Sequence, residues 1–100
     1  MDTARGRMTR DGIRLYEASD FVGMRTAGRV AADILDDMAQ YVFPGQSTGE
    51  IDRKITERIE ALGVKSATIG YKGYKHASCI SVNHVVCHGI PGPKLLKEGD

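Results

Sequence analysis

At Gly63 the texture of the chain changes, and that change limits what it can fold into. Before it, apolar side chains recur at spacings of three and four, the mark of helices with one buried face. Met24, Ala27, Ala31, Ile34, Leu35, Met38 and Val42 form one such stripe, with Arg25, Arg29, Asp33, Asp36 and Asp37 on the other side. Ile51, Ile55, Ile59 and Leu62 form a second, cleaner one. After Gly63 come short β-prone runs punctuated by glycine, and residues 61–97 carry five lysines but no aspartate or glutamate. The chain therefore reads as α/β (α+β): two helices followed by an antiparallel β-hairpin or sheet. A segment without carboxylates offers no hard-metal site and no acid–base pair of carboxylates.

The boundaries have local causes. The first dozen residues, with Arg5, Gly6, Arg7, Arg10 and Gly12, read as a flexible arm (1–12) ahead of one domain (13–100), in which residues 13–16 form a short extended piece. Ser19 or Asp20 offers the first helix an N-cap, and Pro44-Gly45 stops it. Gly23 and Gly28 are costly in a helix interior, so close packing against a neighbour is expected of them. Ser47 and Glu50 have the spacing of a capping box, Glu50 and Lys54 that of a favourable i,i+4 pair, and Gly63 that of a C′ residue. A strand is expected over 64–69, then a loop Gly70-Tyr71-Lys72-Gly73-Tyr74.

Composition narrows the class. One hundred residues make one domain, and two cysteines are too few for a secreted disulfide framework. No apolar window is long enough to span a membrane, and the N-terminus lacks the apolar core of a secretory signal, so a cytoplasmic location is expected.

Residues 78–82 and 85–88 are two β-prone runs separated by Asn83-His84, which is hairpin spacing. With those two as the loop, Val82 faces Val85, Ile80 faces Cys87 and Cys79 faces His88. Alternation then puts Ile80, Val82, Val85 and Cys87 on a core face, and Cys79, Ser81, Val86 and His88 on a more polar one. Cys79 beside His88 admits three readings: a thiolate nucleophile with its base, a metal-binding pair, or the soft wall of a substrate pocket. A half-buried sheet histidine is the plain alternative. Cys79 and Cys87 point to opposite faces, so no disulfide joins them. Tyr71, Lys72, Tyr74 and Lys75 could wall a small-molecule pocket or stack and neutralise a nucleic acid; His76 and His84 read as exposed loop residues.

The strings Thr68-Ile69-Gly70-Tyr71-Lys72-Gly73-Tyr74 and Cys79-Ile80-Ser81-Val82-Asn83-His84-Val85-Val86-Cys87-His88-Gly89-Ile90-Pro91 closely resemble type I methionine aminopeptidase. Met24-Arg25-Thr26-Ala27-Gly28-Arg29-Val30-Ala31-Ala32 and Pro44-Gly45-Gln46-Ser47-Thr48-Gly49-Glu50-Ile51-Asp52 are similar to that family's first two helices, so the resemblance covers about residues 13–100. It implies the N-terminal half of a pita-bread fold and a cytoplasmic metallopeptidase, a hydrolase that removes the initiator methionine from nascent proteins when a small residue follows. It implies that His88 binds substrate near the scissile amide and steadies the tetrahedral intermediate, the one catalytic residue of this stretch. It also implies that Tyr71, Tyr74 and Cys79 line the methionine pocket, with Thr68 at the place of a pocket cysteine in some members. Lys72 stands where some members have a histidine, and Lys75-His76 replaces a Pro-Lys pair.

The resemblance further implies two divalent metal ions in the complete enzyme (cobalt, manganese, iron or zinc), held by carboxylates and a histidine that would follow Asp100. On that expectation the 100 residues are a truncated form or fragment with no metal ligand, binding no metal and inactive alone. The implied partners are nascent peptide N-termini and the ribosome, with neither a membrane nor a specific nucleic acid; the complete enzyme would be a monomer. The alternative is a non-catalytic peptide- or RNA-binding remnant that uses the loop from Tyr71 to His76.

Overall fold

The computed structural model describes residues 6–100, in two compact units, 6–33 and 34–100. Of the expected 1–12 arm, residues 1–5 lie outside the described residues. In the first unit β1 (Arg7–Met8) pairs antiparallel with β2 (Arg14–Leu15), Arg7 opposite Leu15 and Met8 opposite Arg14. The connection is closed by Thr9, whose N–H donates to the Ile13 carbonyl at 2.7 Å and whose Oγ1 accepts from the Ile13 N–H at 3.0 Å.

Helix α1 spans Ala18–Met38. Its start differs from the expected Ser19 or Asp20 cap. Asp20 sits in the third helical position, where its carboxylate accepts the Glu17 N–H at 2.9 Å, so the acid reaches back instead of capping from the front. A Cβ at Gly23 or Gly28 would meet nothing within 4 Å among the described residues, so the close packing expected there is not made within them.

In the second unit α1 buries Ile34 and Met38, continues as a 3-10 turn over Ala39–Tyr41, and stops before Pro44. Helix α2 (Thr48–Ala61) follows the local signals at both ends. Ser47 Oγ accepts the Glu50 N–H at 3.0 Å. At the other end the Gly63 N–H donates to the Glu60 carbonyl and the Val64 N–H to the Ile59 carbonyl, a Schellman motif with Gly63 at φ 71°. The Glu50–Lys54 pair is replaced: Arg53 takes the Glu50 carboxylate and holds it below the usual carboxylate range. Lys54 Nζ lies instead 5.1 Å from the centre of the Tyr41 ring.

The end of the chain returns to the start of α2. Ser47 and Leu95 form an isolated antiparallel bridge, Leu96 N–H donates to the Gln46 carbonyl at 2.8 Å, and Gly45 N–H to the Leu96 carbonyl at 2.8 Å. Asp100 accepts from the Asn83 amide and the Lys97 N–H, each at 2.8 Å, and these bonds keep its carboxyl below the usual range. Among the described residues the buried apolar side chains are few: Ile34, Met38, Ile51 and Val82. Beside them an apolar hollow of about 500 Å³ opens, lined by Leu35, Met38, Ile51, Ile55, Ile80 and Leu96 among others.

Residues 64–69 and 78–88 are not strands among the described residues, so the only sheet is the β1–β2 pair ahead of the helices. The turn expected at Asn83-His84 does form: Val85 N–H donates to the Val82 carbonyl at 3.1 Å, with Asn83 at φ 54°. Beyond it the register slips by two. Ile80 N–H donates to the Gly89 carbonyl at 2.8 Å, so Ile80 faces Gly89 instead of Cys87, and Cys79 does not oppose His88. The cause is local. His88 takes φ 55°, and Gly89 passes so close to Ile80 that a Cβ there would stand 2.1 Å from the Ile80 carbonyl oxygen.

Candidate functional site

The loop over 66–76 folds upon itself through its own polar groups. Ser66 Oγ accepts the N–H of Thr68 and of Ile69, each at 3.2 Å. Thr68 Oγ1 donates across the loop to the His76 carbonyl at 2.8 Å. Gly70 at φ 88° donates its N–H to the Tyr74 carbonyl at 2.7 Å, enclosing a 3-10 turn over Tyr71–Gly73. The loop is therefore a closed lobe that presents two tyrosines, with Lys72 Nζ 5.4 Å above one face of the Tyr71 ring.

Against this lobe lies the segment that carries Cys79 and His88. Thr68, Tyr71, Tyr74, Cys79 and His88 all line one cavity of about 460 Å³, completed by Ala67, Lys72 and Ile90. The structure thus brings all five sequence-derived site residues together, although the hairpin register that first paired Cys79 with His88 is not the one formed. The lining is mainly apolar and aromatic, with the Cys79 thiol, the Thr68 and tyrosine hydroxyls, the His88 imidazole and the Lys72 amine as its polar groups; the rings and the sulfur suit a soft side chain. Tyr74 OH donates to the Ser78 carbonyl at 2.7 Å and lies 3.5 Å from Cys79 Sγ. That contact with Cys79 pushes the Tyr74 phenol up to about 12.

Behind the cavity stands a carboxylate that the sequence did not single out. Asp52, on α2, is 6% exposed. Its Oδ1 accepts the Ala77 N–H at 3.0 Å and the Ser78 hydroxyl at 2.7 Å, while Oδ2 lies 3.1 Å from His76 Nδ1. His76, expected as an exposed loop residue, is therefore half-buried and packs edge-on to Tyr74 with ring centres 5.5 Å apart. Burial of a carboxylate is sustained by such convergent donors. The one hint in the sequence was a lone acid among the apolar residues of the α2 stripe.

Cys79 and Cys87 are both free. No three His, Cys, Asp or Glu side chains among the described residues lie close enough to hold a metal ion, and Asp52 is already engaged by three donors. The described residues therefore do not fit a two-metal centre. No helix among them is long and apolar enough to cross a membrane.

The sequence profile of metallopeptidase family M24 matches residues 22–100. The chain is 49% identical over 90 residues to a methionine aminopeptidase of Escherichia coli strain K12, an alignment covering 88% of this chain and 34% of that protein. Its fold matches the crystal structure of a methionine aminopeptidase from Rickettsia prowazekii with a TM-score of 0.84 at 39% identity, over 87% of this chain and 35% of that one. The corresponding enzyme from Thermotoga maritima gives a TM-score of 0.81 at 38% identity, again over 87% of this chain and 35% of that one. The chain spans about a third of the length of the curated relatives it matches.

Proposed function

Since the chain belongs to metallopeptidase family M24, a family of hydrolases, and folds as part of a pita-bread domain, we propose that it forms the methionine-binding wall of a methionine aminopeptidase. The substrate class is the N-terminus of nascent proteins that begin with Met followed by a small residue, processed in the cytoplasm beside the ribosome, by an enzyme that is monomeric when complete. The observation that carries the reading is the convergence of Thr68, Tyr71, Tyr74, Cys79 and His88 on one cavity. The tyrosine rings and the Cys79 sulfur would receive the thioether, for which sulfur–aromatic contact is favourable. His88, whose ring has no hydrogen-bond partner among the described residues, is free to donate to a peptide carbonyl at the cavity mouth. That donation is the step assigned to this chain's own residues: it orients the scissile amide and stabilises the charge that develops on its oxygen.

The family's divalent metal ions would supply the nucleophile, and no residue described here is assigned to hold them. Residues 1–100 by themselves are accordingly proposed to bind methionine without releasing it from peptides. The test is a titration of the chain with L-methionine, followed through the ring signals of Tyr71, Tyr74 and His88. Those three should move together with methionine and stay still with L-lysine. A response to both amino acids, or to neither, would remove the reading.

A further inference from the structure

Three of the five cavity residues depend on one short segment, residues 76–78. Thr68 Oγ1 is anchored on the His76 carbonyl at 2.8 Å, and Tyr74 OH on the Ser78 carbonyl at 2.7 Å; Cys79 follows directly in the chain and touches Tyr74 OH at 3.5 Å. That segment is in turn fixed by a single carboxylate. Asp52 accepts one hydrogen bond from each of Ala77 and Ser78, and its other oxygen faces His76 Nδ1 at 3.1 Å. A rigid helix thus holds, through one buried side chain, the backbone on which the cavity wall hangs.

Of the three donors only His76 is an imidazole, the side-chain type that can gain a proton near neutral pH. Its side chain is about one-third exposed, at 32%, so solvent protons reach it. The titratable groups that face it are Asp52 from α2 and Tyr74 from its own loop, with Lys75 adjacent in the chain. Tyr74, pushed up to about 12, stays protonated throughout this range. Protonating His76 turns its hydrogen bond to the Asp52 carboxylate into an ion pair, which is stronger than the bond from a neutral ring.

We propose that Asp52 is a positioning residue for the cavity wall, acting through residues 76–78, and that its bond to His76 makes the set of that wall respond to pH. The wall is held more firmly when His76 carries its proton. This inference rests on the methionine-pocket reading for its biological meaning, but its geometry can be tested without any ligand.

The experiment follows the amide signals of Ala77 and Ser78 and the ring signals of Tyr74 in the 100-residue chain, between about pH 5 and about pH 8. In the unmodified chain these signals should titrate together with the His76 ring. His76→Lys keeps a cation through that window, so it should flatten the response at the low-pH position; His76→Gln should flatten it at the high-pH position. Asp52→Asn should displace the Tyr74 and Cys79 signals and weaken L-methionine binding about tenfold or more, as loss of a buried charged acceptor does. If Asp52→Asn does not fold, the two His76 variants still decide the matter. A pH-independent wall in the unmodified chain, or a response that survives in His76→Lys, would overturn the proposal. A wall that follows His76 in a chain that binds no methionine would uphold it while removing the pocket reading.

Discussion

Thr48 and Gly92 exchange two hydrogen bonds across 44 residues of chain: Thr48 Oγ1 donates to the Gly92 carbonyl at 3.2 Å and accepts the Gly92 N–H at 2.9 Å. Thr48 is 3% exposed, and the Gly49 N–H adds a third bond to the same carbonyl at 2.8 Å. The start of α2 is thus secured twice, once by the Ser47 cap and once by the returning chain. Replacing Thr48 by Ala would strip the half-buried Gly92 N–H of its partner and should cost about 1–3 kcal/mol, read as a lower urea midpoint at unchanged slope. Thr48→Ser, which keeps the hydroxyl, should lose much less.

The cap itself predicts a smaller effect. Ser47→Ala removes the acceptor of the Glu50 N–H and should destabilise the unit by about 1 kcal/mol. Ser47→Asp should recover that loss in the same denaturation experiment.

Gly89→Ala is expected to be worse than either. Its Cβ would stand 2.1 Å from a backbone oxygen, which no side-chain rotation can relieve. The Ile80–Gly89 hydrogen bond must open, at a cost of about 1–3 kcal/mol or more, and His88 moves with it. Shifted ring signals of His88 in a variant that still folds would report the movement; unshifted signals would refute it.

Tyr74 makes stability depend on alkaline pH in a defined direction. Its phenol is pushed up to about 12, chiefly by the hydrogen bond with Cys79, so the folded state keeps a proton that the unfolded chain gives up earlier. That contribution is complete below about pH 10, the ordinary tyrosine value, and disappears as pH rises through about 12. Cys79→Ala should move the ionisation of Tyr74, followed by its phenolate absorbance, back toward the ordinary value.

In the whole aminopeptidase, on the proposed function, His88→Ala should lower methionine release by about 10²–10⁴-fold, the usual size for a lost hydrogen-bond donor at a reacting carbonyl. The effect should fall on kcat more than on KM, because the donor acts on charge that develops during reaction. An effect confined to KM would make His88 a ground-state binding residue only.

What the sequence disclosed was governed by separation along the chain. Both ends of α2 were legible because Ser47, Glu50 and Gly63 act within four residues of themselves. The turn at Asn83-His84 was legible for the same reason. The register beyond it was not, because alternation cannot reveal that His88 would turn left-handed or that Gly89 would cross the Ile80 carbonyl. Cys79 and His88 line one cavity all the same, although neither lies on a strand and His88 is left-handed at φ 55°. The Asp52–His76 contact joins residues 24 apart that share no local pattern, and nothing short of the fold could pair them. The expected sheet after Gly63 is not formed among the described residues because β-propensity there was spent on turns, several of them held by side-chain hydroxyls, instead of ladders.

The backbone at His88, with φ at 55°, sets stability and chemistry against each other at a single position. A left-handed conformation costs an ordinary L-residue about 1–2 kcal/mol, and glycine would escape that charge while giving up about 0.4–1 kcal/mol through the freer unfolded chain. On balance His88→Gly should leave the chain as stable or somewhat more so, by up to about 1.6 kcal/mol, yet without its imidazole. The strained turn is what aims that ring at the cavity, so any optimisation of this chain for thermal endurance would select against the very group on which turnover is proposed to depend.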